Sequence, residues 1–265
     1  MARDTQTGRG FSLIELMMAM AVFLVICGAM FALLQLSQQR YASETQMSGS
    51  FQEARLAIDQ IARDVNDAGY PSQNMFSQVP SNTTLYAVGP VAWDPNYPIV
   101  TTLCQIGTAG GGTCTTPGDF DLIIETTVGT SVNWIRYKLG SDGILYRGVT
   151  PKTTADPVSA TDAAGVLIPF LVNVKNNASG AELGDITAAY PTMFPGGLPV
   201  PIFQYTCDTP NGAQPCPTVT PNTYNSPLNV RDVNITLIVE TPQPDAETHQ
   251  LKLIELNGSG HRLNP

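Results

Sequence analysis

Charge is scarce in this chain, and positive charge scarcer still. Asp, Glu, Lys and Arg make up 13% of 265 residues, and 13 basic residues stand against 22 acidic ones for a net charge of −9. A surface this acidic disfavours non-specific attraction to DNA, RNA or anionic lipid, so nucleic acid is not an expected partner. Histidine is limited to His249 and His261, neither with a convincing metal ligand beside it. The sequence also lacks a Gly-x-Ser-x-Gly elbow, a phosphate loop ending in Gly-Lys-Ser/Thr and a His-Glu-x-x-His pair, which removes common hydrolase, nucleotide-binding and zinc-protease signatures. The glycines within Gly107–Gly112 have no strand–turn–helix setting to build a phosphate cradle and read as loop. Asp119, Asp121 and Asp142 fit no twelve-residue calcium loop and read as turn residues. The chain is expected to be non-enzymatic, with no cofactor and no metal.

What is there begins with one apolar run. Leu16 to Leu34 holds 19 consecutive uncharged residues, and Leu36 extends the run past Gln35. At about 1.5 Å per residue such a helix spans roughly 30 Å of hydrocarbon. One carboxylate, Glu15, sits at its entrance, where an unpaired charge costs roughly 2.5–3.5 kcal/mol if carried to the membrane centre. Arg3 and Arg9 precede the run, whereas its far side opens with Gln, Ser and a single Arg40 before Glu44. The positive-inside rule then predicts a cytoplasmic N-terminus with the bulk of the chain exported. An ordinary secretory signal places its small-residue cleavage site after a shorter apolar core; here Gly10 precedes a long one.

The order Arg9-Gly10-Phe11-Ser12-Leu13-Ile14-Glu15 followed by the apolar run resembles the N-terminus of type IV prepilins and their type II secretion relatives. The resemblance implies cleavage by prepilin peptidase between Gly10 and Phe11, N-methylation of Phe11, and docking of Glu15 against the N-terminal amine of a neighbouring subunit. Cleavage would remove Arg3, Asp4 and Arg9, leaving 11 basic and 21 acidic residues, a net charge of −10. Burial rewards that docking, because a paired carboxylate is tolerated in a helical bundle where a lone one is penalised.

Cysteine usage agrees with export. Cys27 lies within the apolar run as a small packing residue, while Cys104/Cys114 and Cys207/Cys216 form two close pairs in polar loops. Gaps of nine and eight residues fit a zinc ribbon poorly and read as two local disulfides, each worth about 2.7 kcal/mol on the chain-entropy model.

Helical character is expected to continue beyond the membrane. Phe51, Ala54, Ile58, Ile61, Val65 and Ala68 recur at steps of three and four as one apolar stripe, and Gly69-Tyr70-Pro71 supplies a stop. Gly28 and Gly49-Ser50 are weak points in a helix of about 58 residues, roughly 87 Å long. The segment from Ala62 to Tyr70, with Arg63-Asp64 and Ala68-Gly69-Tyr70, is similar to PilW-type minor pilins but departs from them at Asn66-Asp67.

Residues 71–118 read as an irregular excursion with one strand near Leu85–Val88. Strands are predicted at Asp121–Val128, Val132–Leu139 and Ile144–Val149, the last two joined by Gly140-Ser141-Asp142-Gly143, with the Ile135, Tyr137 and Leu139 face packed on the helix. This meander, ending in Leu145-Tyr146-Arg147, also resembles the PilW and GspJ-like group. Val166–Val174 is predicted as a strand that Pro169 confines to an edge or bulge. Residues 175–229 form a second excursion with one strand at Pro201–Tyr205. Val230–Thr241 is a core strand, Leu251–Leu256 its partner, and the residues from Asn257 onward are expected to be poorly tied down.

The expected fold is α+β and pilin-like: a long N-terminal α-helix packed on an antiparallel β-sheet with long disulfide-pinned loops. Residues 1–10 form the leader, 11–36 the transmembrane or filament-core helix, 37–70 its amphipathic second half, and 71–265 an exported β-rich domain. The resemblance implies a PilW-type minor pilin that helps prime pilus assembly in a tip complex. Its implied partners are other minor pilins, the major pilin, prepilin peptidase and a tip adhesin. It would reside in the inner membrane as a single-pass protein with a periplasmic domain before reaching the pilus and cell surface. A GspJ-like pseudopilin of type II secretion is the nearest alternative. Another is an adhesive or ligand-binding domain using 71–118 and 175–229 as its binding face.

Overall fold

The structure, a computed structural model, describes residues 12–69, 89–93, 104–107, 113–128, 131–152, 156–216, 224–245 and 250–263. Helix α1 (Leu13–Asn66) is a single element of 54 residues that runs unbroken through Gly28 and Gly49, about 81 Å at 1.5 Å per residue. It ends at Asp67, and Gly69 follows in the left-handed region (φ +82°), where a residue without Cβ is unstrained. Tyr70, Pro71 and the strand expected near Leu85–Val88 lie outside the described residues.

The antiparallel architecture is realised as two sheets. One has the order β1 (Val91–Ala92), β2 (Asp121–Val128), β3 (Ser131–Leu139), β4 (Leu145–Pro151), β5 (Leu167–Leu171). The other has the order β7 (Gly212–Pro215), β6 (Phe203–Thr209), β8 (Val230–Glu240), β9 (Leu253–His261). The meander falls where alternation and the Gly140–Gly143 turn place it. β5 is an edge strand, and the ladder shifts register between Leu145 and Tyr146, opposite Pro169, as the missing proline N–H requires. Asn176 joins the second excursion to β8. Its fully buried amide donates to the Val200 and Thr236 carbonyls, at 3.1 and 2.9 Å, and its oxygen accepts from Ile238 N at 2.8 Å.

The main core lies between helix and sheets. Ala54, Ile58, Ile61 and Val65 meet Ile135, Tyr137 and Leu139 as expected, together with Val233, Ile235 and Leu237 of β8. The buried helix face is turned slightly from the predicted stripe: Ser50 and Ala57 are buried, whereas Phe51 is 42% exposed. Small residues take the centre because β9 comes close. A Cβ on Gly258 would strike Ile58 Cγ2, and one on Gly260 would lie 2.6 Å from Val65 Cβ. The C-terminal residues are therefore not loose. Residues 257–261 are the second half of β9, paired with β8 through Asp232–Thr236, and Asn66 Oδ1 accepts from His261 N at 2.8 Å.

Two helices were not foreseen. Helix α2 (Pro157–Thr161) is capped by Asp156, whose carboxylate accepts from Ser159 N at 2.7 Å, and it covers Trp134 and Ile123 on the outer face of the first sheet. Helix α3 (Gly180–Ala189) lays Leu183 and Ile186 against Ile238 and Leu253 on the second sheet. Both carry sequence signals: Asp-Pro at the start of α2, and Ser179 three residues before Glu182 at α3.

Candidate assembly site

The N-terminal end of α1 is built by a reciprocal cap. Ser12 is extended (φ −79°, ψ 149°), its Oγ accepts from Glu15 N at 3.3 Å, and its own N–H donates to Glu15 Oε2 at 3.5 Å. Such a capping box satisfies two amides that the first helical turn leaves without partners and sets the carboxylate at the positive end of the helix dipole. Glu15 is thus engaged within its own chain. Gly10 and Phe11, the expected cleavage and methylation residues, lie outside the described residues.

From Ser12 to Ala42 every side chain is exposed except half-buried Cys27, which is outside any disulfide. Leu16, Phe23, Val25, Phe31 and Leu33 all show more than half their surface. A bare apolar helix of this length requires lipid or other helices around it. By length and composition it is sufficient to cross a membrane.

The globular part first grips α1 at Ser43, whose hydroxyl donates to Asp245 Oδ2 at 2.7 Å, and at Gln46, whose amide donates to Gln243 Oε1 at 3.1 Å. The firmest polar grip is near the helix end. Asp64 Oδ2 accepts from Tyr137 Oη at 2.6 Å and from Arg147 Nη2 at 2.7 Å, while Gln60 Nε2 donates to Asp64 Oδ1 at 2.7 Å. Arg147 also lies 5.7 Å from the Tyr137 ring centroid, within cation–π range. Burial, followed by the Asp64 charge, raises the Tyr137 pKa.

Just beyond, the Glu125 and Lys152 side chains are wholly buried and paired at 3.1 Å, and Trp134 Nε1 donates to Glu125 Oε1 at 3.0 Å. Burial raises the Glu125 pKa to about 7 against the opposing pull of Lys152 and Trp134. The same strand holds the helix exit: Thr126 Oγ1 donates to Asp67 O at 2.8 Å, and Gly69 N to Glu125 O at 2.9 Å. These contacts fix the angle at which the bare helix leaves the globular part.

Both expected disulfides are present, Cys104–Cys114 and Cys207–Cys216, each with Cα atoms 4.9 Å apart. The aspartates weighed for calcium are otherwise placed. Asp121 takes the Arg136 guanidinium in a fork at 2.9 and 2.6 Å, and Asp142 accepts from Tyr146 Oη at 2.6 Å. Asp119 is exposed. Among the described residues no three His, Cys, Asp or Glu side chains gather as a metal site. His261 pairs with Asp232, and His249 lies outside the described residues.

Arg63-Asp64 and Leu145-Tyr146-Arg147 stand out separately in the sequence, and only the fold joins Asp64 to Arg147. The Glu125–Lys152 pair joins the middle of β2 to the residue that follows β4, and neither local segment marks it in the sequence.

Comparison with known proteins bears on the same end of the helix. Residues 7–31 match the family model described as the prokaryotic N-terminal methylation motif. No curated protein and no solved structure matches the chain. The matched residues run from before the Gly10–Phe11 junction to Phe31, well into the bare apolar segment, and include the Ser12–Glu15 box. The chain carries the N-terminal methylation motif of prokaryotic prepilin-like proteins, the type IV pilins and pseudopilins.

Proposed function

We propose that this chain is a PilW-type minor type IV pilin, a non-enzymatic subunit that helps prime pilus assembly in a tip complex. The observation that carries the reading is the methylation motif leading into an apolar helix left bare over Leu13–Leu36, beneath a globular part clamped to the second half of that helix. Prepilin peptidase cuts between Gly10 and Phe11, and Phe11 is methylated. Until docking, Glu15 is occupied by the Ser12 amide in its own capping box. On docking it exchanges that weak partner for the N-terminal amine of a neighbouring subunit, whose full charge neutralises it in the apolar surroundings of packed helices. The clamp at Asp64 and Glu125 transmits the seating of the helix to the sheets.

The test is mass spectrometry of the N-terminal peptide in sheared filaments and in membranes. N-methylated Phe11 in filaments supports the minor pilin. Methylated Phe11 confined to membranes turns the assignment to a GspJ-like pseudopilin. An intact Met1 leader in both fractions defeats the assembly reading.

A further inference from the structure

Two Asn-Gly pairs occur in the sequence, Asn211-Gly212 and Asn257-Gly258. The missing Cβ of a glycine leaves its backbone nitrogen open to attack the side-chain carbonyl carbon of the residue before it. Such a pair can cyclise wherever the fold lets the Asn amide turn toward that nitrogen. The two pairs are treated oppositely.

Asn257 is held. It lies within β9 opposite Thr236, its Oδ1 accepts from Thr236 Oγ1 at 2.7 Å, and its Nδ2 donates to Glu255 Oε1 at 3.2 Å. Gly258 presses on α1, where a Cβ would strike Ile58 Cγ2. Turning the Asn257 amide toward Gly258 N would break both side-chain hydrogen bonds and distort a strand paired along its whole length.

Asn211 is free to turn. Pro210 and Asn211 are the two turn residues of the β6–β7 hairpin, and Gly212 follows with φ +100°. The Thr209 hydroxyl holds the backbone, accepting from Asn211 N at 3.2 Å and donating to Gly212 O at 2.7 Å. The Asn211 side-chain amide makes no hydrogen bond with any described residue. Asn211 and Gly212 are both exposed, and a Cβ on Gly212 would meet nothing within 4 Å. The Cys207–Cys216 disulfide closes the base of this hairpin.

We propose that Asn211 is a site of spontaneous modification, deamidating in the folded chain through a cyclic imide with Gly212. Gly212 N loses its proton to solvent and attacks Asn211 Cγ. A new C–N bond forms, the Cγ–Nδ2 bond breaks, and Nδ2 takes up a proton and leaves as ammonia. Water then opens the imide at either carbonyl, giving aspartate or isoaspartate without any oxidation or reduction. Either product adds one negative charge at the hairpin tip. Isoaspartate also lengthens the backbone between β6 and β7 by one methylene. The site is independent of the assembly reading, since neither residue lies on α1.

The experiment incubates the full chain in detergent micelles at neutral and at mildly alkaline pH. After digestion in acid, mass spectrometry follows both Asn-Gly peptides, with fragmentation that separates aspartate from isoaspartate. Asn211 is expected to convert at least tenfold faster than Asn257, faster at the higher pH, with isoaspartate among its products. In the reduced chain unfolded in guanidinium the two rates are expected to converge, because the fold alone holds Asn257 back. An Asn211 that stays intact in the folded chain, conversion of Asn257 at an equal or greater rate, formation of aspartate alone, or the same preference for Asn211 in the unfolded chain overturns the proposal.

Discussion

Asp64 on the helix and Arg147 on β4, 83 residues apart in sequence, meet at 2.7 Å with 9% and 24% of their side chains exposed. Tyr137 stands against both, so the three side chains bind helix to sheet as a unit. Removing one partner of so sheltered a pair leaves the other charge poorly solvated. Asp64→Ala and Arg147→Ala are each expected to lower unfolding free energy by about 2–4 kcal/mol in denaturant titrations. The double variant should lose clearly less than the sum, because the second change removes a charge already stranded. Strict additivity would mean the pair is not coupled.

β9 gives a steric counterpart to this polar grip. Gly258→Ala and Gly260→Ala put a methyl into Ile58 and Val65, and each is expected to cost about 1–3 kcal/mol by overpacking. Gly184→Ala in α3 meets nothing within 4 Å and should stabilise by up to about 1 kcal/mol through helix propensity. Thermal melts of the three variants check both signs.

Glu125 predicts a pH dependence of stability. Its folded pKa is about 7 against an ordinary 4.5, so between these values the folded chain binds more protons than the unfolded one. Its contribution to stability therefore falls as pH rises from about 4.5 to 7 and is level above that. Replacing the pair by Glu125→Gln with Lys152→Met should remove this downward slope. Melting temperatures of wild type and double variant, compared from pH 4.5 to 8, decide it. Parallel curves would show that Glu125 titrates normally.

Under the proposed function, Glu15→Gln retains the length of the cap but cannot neutralise an amine. The variant is expected at normal abundance in membranes and at least tenfold depleted from sheared filaments. Equal recovery in filaments would remove Glu15 from docking.

Disulfide loss gives a further check on the globular part. Cys207→Ser with Cys216→Ser opens a loop with a sequence separation of 9, and the chain-entropy model expects a loss of about 2.7 kcal/mol. A non-reducing denaturant titration measures it.

The sequence by itself determined the features whose causes are local. The helix from Leu13 to Asn66 follows from an uncharged run, a periodic stripe and Ser12-x-x-Glu15 at its start. The meander from Asp121 to Pro151 follows from β-branched alternation and a Gly-rich turn, and the edge position of β5 from Pro169. Each depends on neighbours within a few residues, so spacing alone carries the information. The methylation motif is local in the same sense.

Only the tertiary structure decided what depends on distant partners. Alternation specifies which face of a strand is buried but not which strand lies beside it, so the division into two sheets was not legible. Gly258 and Gly260 read as a loose end until Ile58 and Val65 were found packed against them. Asp64 gains its meaning from Tyr137 and Arg147. Contacts closed across many tens of residues leave no periodic trace in the chain, because only packing brings their members together.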